Sequence, residues 1–85
     1  MLAVPEIITR SALEIVYGTD PDRVGAFLEL GRHSGTGWEV VAEIFSPERS
    51  PALVFWMDGE LPTDVVQAFI EYSRARLAVP GRGAA

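Results

Sequence analysis

Eighty-five residues with 48% apolar content make one globular domain and exclude a disordered chain. A net charge of −5, built from twelve acidic residues and seven Arg with no Lys, excludes a phosphate-binding surface, which needs clustered cations. There is no Cys, hence no disulfide staple or thiol chemistry, and the longest apolar run, residues 52–57, falls far short of the ~20 residues of a membrane-spanning helix.

Residues 1–5 read as a lead-in ended by Pro5, without the basic start and long apolar core of a signal peptide, so the cytoplasm is the default compartment. Residues 12–17 alternate, with Leu13, Ile15 and Tyr17 on one side and Glu14 on the other, which predicts a strand. Residues 6–10 either extend that strand or form a separate turn. The run Gly18, Thr19, Asp20, Pro21, Asp22 punctuates the chain.

Residues 23–32 support two readings. Asp20, Pro21 and Asp22 would start a helix well, with a cap, a proline at the first position and an acid in the first turn. Against this, Val24, Ala26, Leu28 and Leu30 alternate, and Gly25 and Gly31 disfavour a helix, so the strand is preferred. Residues 31–37, rich in Gly, then form a wide hairpin loop. Residues 38–45 are the clearest strand: Trp38, Val40, Ala42 and Ile44 point one way, and Glu39, Val41, Glu43 and Phe45 the other. Pro47 and Pro51 bound a loop. Residues 52–57 follow as a strand apolar on both faces, a pattern that predicts burial on both sides. Asp58 and Gly59 turn the chain.

The last element is an amphipathic helix over 62–77. Val65, Val66, Phe69, Ile70, Ser73 and Leu77 share one face, while Gln67, Glu71 and Arg74 lie opposite. Asp64 and Gln67 have capping-box spacing, and Arg74 and Arg76 fall where the helix dipole favours cations. At about 24 Å such a helix is long enough to cross three or four strands. The expected architecture is therefore α+β: a small antiparallel meander of three or four strands with one C-terminal helix on one face. The alternative is β-α-β-β-α. The core spans 6–79, and 80–85 form a flexible tail.

No catalytic, cofactor or metal set is apparent, so no enzyme is expected. His33 is the single histidine, and without Cys or a second His it makes a poor metal site. The Gly-rich stretch around it lacks the Gly-Lys-Ser/Thr ending of a phosphate-binding loop. Glu39 and Glu43 are four residues apart on one strand, about 13 Å, too far for an acid–base pair. Trp38 and Trp56 are read as core anchors.

One helix covers one face of a sheet, whereas the strands carry apolar residues on both. Apolar surplus of this kind marks binding surfaces. Between His33 and Ser73, seven carboxylates stand against the single Arg49, which suits a basic protein partner and opposes nucleic acid and membrane alike. The helix-free face is expected to engage that partner through Phe27, Glu29, Arg32, His33, Glu39, Val41, Glu43 and Phe45. The expectation is a small acidic, non-catalytic protein-binding module of the immunity, inhibitor or accessory-subunit kind, a likeness of shape and charge alone. The alternative is a self-associating homodimer, paired through the uncovered face or the edge of strand 12–17.

Overall fold

A computed structural model of the chain describes residues 2–77. The expected tail 80–85, and the end of the expected core at 79, lie outside the described residues. The elements run α1 (Glu6–Arg10), β1 (Glu14–Asp20), β2 (Gly25–Ser34), β3 (Gly37–Pro47), β4 (Val54–Met57) and α2 (Thr63–Leu77). The four strands form one antiparallel sheet in the order β1-β2-β3-β4, so the expected meander with a C-terminal helix is what the chain adopts.

Residues 6–10 are neither a strand extension nor a simple turn but a short helix, with Glu6 and Arg10 one turn apart and 3.8 Å from each other. Ala12 closes it at φ 58°, a left-handed position usually given to Gly, and lets the Leu13 N–H reach the Ile8 carbonyl at 3.1 Å. Residues 23–32 belong to a strand, as the alternation favoured. The expected wide loop at 31–37 is instead a tight hairpin. Ser34 pairs with Gly37 across Gly35 and Thr36, and Gly35 supplies the positive φ of 42° that such a turn demands.

The core lies on one side of the sheet. Leu28 and Leu30 of β2, Ala42 and Ile44 of β3, and Val65, Phe69 and Leu77 of α2 are all essentially excluded from water, and Ile8 brings α1 into the same cluster. Fully burying a side chain of this kind contributes roughly 1.5–3 kcal/mol. α2 packs on β2 and β3 and against α1. It does not extend over β4.

Two corrections to the sequence reading follow from this arrangement. The first is a β-bulge. Leu30 pairs with Ala42 but Gly31 pairs with Val40, so Val41 is an extra residue in β3. A bulge restarts the alternation. Val41 and Ala42 both enter the core, while Trp38 and Val40 join Glu43 and Phe45 on the helix-free face and Glu39 moves to the other. The second concerns residues 52–57. Their apolar run predicted burial on both sides, yet Val54 is 54% exposed and Trp56 49%. In a meander the last strand is an edge, and α2 shields the central strands instead. Trp56 is accordingly no core anchor, whereas Trp38 is half-buried.

Ser73 is fully buried on the core face of α2, between the levels of Phe69 and Leu77, and among the described residues its Oγ has no hydrogen-bond partner. An unpaired buried hydroxyl carries a desolvation penalty of roughly 1–3 kcal/mol. Ser73→Ala is therefore expected to raise stability by about 1 kcal/mol, read as a higher urea midpoint at unchanged slope.

Candidate functional site

The register sets out the helix-free face in rows. Val16, Glu29, Glu43 and Trp56 form one row across the sheet, and Gly18, Phe27, Phe45 and Val54 form the next. Glu14, Gly31 and Val40 lie beyond the first, and His33 pairs with Trp38 at the end. Three rings lie flat on this face because the strand beside each offers a glycine. A Cβ on Gly18 would stand 2.5 Å from the Phe27 ring, one on Gly25 2.6 Å from Phe45, and one on Gly31 2.6 Å from Trp38. Glycine within a strand marks such close approach.

The carboxylates of this face are already engaged within the chain. Glu29 and Glu43 stand directly opposite one another, a destabilising juxtaposition of like charges. The Trp38 indole N–H donates to Glu29 Oε1 at 3.1 Å. Arg23, from the β1–β2 turn, lies over the Phe45 ring at 4.2 Å and donates from both terminal nitrogens to the two Glu43 oxygens at 2.8 and 2.9 Å. Its Nε–H donates to Asp20 Oδ2, and Asp20 Oδ1 also accepts the backbone N–H groups of Asp22 and Arg23. A single guanidinium thus ties the β1–β2 turn to β3. The two acids raise the Arg23 pKa further above its ordinary value, Glu43 the more strongly. The Arg23 side-chain hydrogen bond is in turn the main cause holding the Asp20 carboxyl below its usual value.

At the far end His33 Nε2 is 3.0 Å from Glu14 Oε2, and the His33 ring meets the Trp38 edge at a centroid distance of 5.3 Å. His33 and Glu14 are both well exposed, and among the described residues no three His, Cys, Asp or Glu side chains cluster as a metal site would require. Of the residues expected to meet a partner, Phe27, Glu29, His33, Glu43 and Phe45 do share the helix-free face. Arg32 and Glu39 are on the opposite face, joined at 3.2 Å, and Val41 is buried in the core. The bulge accounts for Glu39 and Val41. Sequence reasoning missed Arg23, Val16, Val54 and Trp56. Glycines at 18, 25 and 31, one for each flat ring, were the signal that could have placed the aromatic residues.

A second feature lies on the helix side of β4. Ile44, Pro51, Leu53, Phe55, Ile70 and Arg74 line an open groove of about 350 Å³ where α2 falls short of the edge strand. Among the described residues no helix is long and apolar enough to cross a membrane. Comparison with known proteins finds no matching family model, no matching curated protein and no matching solved structure.

A folded-state pKa that is lowered contributes stability present above the unfolded value and lost as pH falls through the folded one. For Asp20 the ordinary value is 3.8. Its contribution is therefore expected to disappear in acid below about pH 4, and Asp20→Asn should lack that part of the acid limb. Urea midpoints of both proteins, measured from neutral pH downward, would converge at low pH if the assignment holds.

Proposed function

We propose that the chain is a small, non-catalytic protein-binding module that receives a protein partner on the helix-free face of its sheet. The observation that carries this reading is the combination of exposed Val16, Val54 and Trp56 with half-buried Phe27 on a face that neither helix covers. Apolar side chains around a few polar groups whose hydrogen bonds are met is the composition of an interface centre. Trp56 would be the anchor, since exposed tryptophans dominate binding energy when a partner closes over them. Glu29 and Glu43 supply shape and register more than attraction, because Trp38 and Arg23 already occupy them. The long-range field belongs to the whole −5 chain and favours a basic partner through faster encounter. An immunity, inhibitor or accessory-subunit role in the cytoplasm fits this description.

Val16→Lys places a cation on the helix-free face at a solvent-exposed position of the β1 edge. A protein captured by the parent chain is expected to bind the variant at least tenfold more weakly, with the far-UV circular dichroism unchanged. A partner that titrates equally well onto both would move the binding surface elsewhere.

A further inference from the structure

β4 is the least protected element of this molecule. Natural edge strands are guarded by charge, proline, bulges or a covering segment. The other edge, β1, follows that rule. Glu14 is met by His33, Asp20 is held by Arg23, and the Arg76 guanidinium lies 4.6 Å over the Tyr17 ring. β4 is only four residues long and follows Pro51, but among the described residues no charge, bulge or covering segment guards it. Residues 50–57 carry no charge, and all five side chains from Leu53 to Met57 are exposed. Beside them the groove along α2 is open as well.

We infer that this edge is covered by β4 of a second copy of the chain, paired antiparallel about a two-fold axis at Phe55. Three observations select a second copy over a foreign strand. The exposed run is symmetric about Phe55. A two-fold there sets Val54 against Trp56 of the second copy on the helix-free face, and Leu53 against Met57 of the second copy on the other, so an apolar side chain meets an apolar one in each pair. The charges agree as well. Glu48 and Arg49 precede β4 and cancel in charge, with Arg49 in no ion pair among the described residues, whereas Asp58 and Glu60 follow it as two uncompensated acids. Antiparallel pairing lays the Arg49 end of each copy beside the Asp58 and Glu60 end of the other. Parallel pairing would lay like on like. The uncharged strand between them lets two chains of net −5 meet without opposing charges at the contact. The exposure is also continuous. The five side chains are 37–54% exposed, so a strand laid along this edge finds apolar surface at every position. The product is one continuous sheet with four strands from each copy, its helix-free face extended and unobstructed.

This inference does not rest on the partner-binding reading, and the variants separate the two. Size-exclusion chromatography with light scattering, run on the full chain from micromolar to ~0.5 mM, is expected to report twice the chain mass of 9.3 kDa. Phe55→Lys should return the mass of one chain across the range where the parent is dimeric. Val16→Lys, on the opposite edge, should remain dimeric. Because the chain has no Cys, Phe55→Cys provides a readout that does not depend on the Lys variant folding. Opposed residues on paired strands lie within disulfide reach, so mild oxidation should give a covalent dimer for Phe55→Cys and none for Val16→Cys. A mass of one chain at every concentration would overturn the inference, and so would a dimer that survives Phe55→Lys and fails to cross-link at position 55.

Discussion

The packing of α2 onto the two central strands is the constraint on which the rest of the molecule depends. Val65, Phe69 and Leu77 close over Leu28, Leu30, Ala42 and Ile44, and Ile8 seals one side of the same cluster. A chain of this size buries only about 60–65% of its unfolded surface, so it has one core and no material for a second. Among the described residues the only buried side chain on the far face is Phe45, beneath Arg23, and neither helix covers that face or the outer edge of β4.

The helix-free face is not an arbitrary remainder. The bulge at Val41 converts three consecutive apolar residues into two that enter the core and one, Val40, that does not. It also carries Trp38 to the side where Glu29 awaits its indole N–H. Arg23 works in the same direction from the other end of the sheet. By satisfying Glu43 and Asp20 together over the Phe45 ring, it offsets part of the charge that two facing glutamates leave on a half-exposed surface. What results is a face of flat aromatic rings and satisfied carboxylates, ordered by contacts within the chain. Such a surface loses little side-chain freedom when a partner arrives, which is where much of the cost of association arises.

The same packing that fixes the core also leaves β4 bare. Side chains of Val, Phe, Trp and Met along an unpaired edge are a hazard for a monomer and an asset for an assembly. A two-fold pairing of this edge would set Val54 and Trp56 of the two copies side by side on the helix-free face, so self-association and partner binding would meet at that strand.

The sequence by itself determined β1, β3, β4 and α2 and their order, because alternation and helical spacing are local properties of residues near one another, while for β2 it preferred the strand over a helix. It also determined the acidity of the chain and the buried face of α2, where Val65, Phe69, Ser73 and Leu77 fall at the predicted spacing. It did not determine the short helix α1, whose five residues are too few to show a period, and whose support is the packing of Ile8. Nor could it reveal the bulge, since Val40, Val41 and Ala42 are all apolar and an inserted residue leaves no mark among them. The position of residues 52–57 was decided by tertiary structure alone. An apolar run states that a strand is suited to burial, but whether anything covers it depends on its place in the sheet and on where the helix lies, and both are set by contacts between residues far apart in the chain.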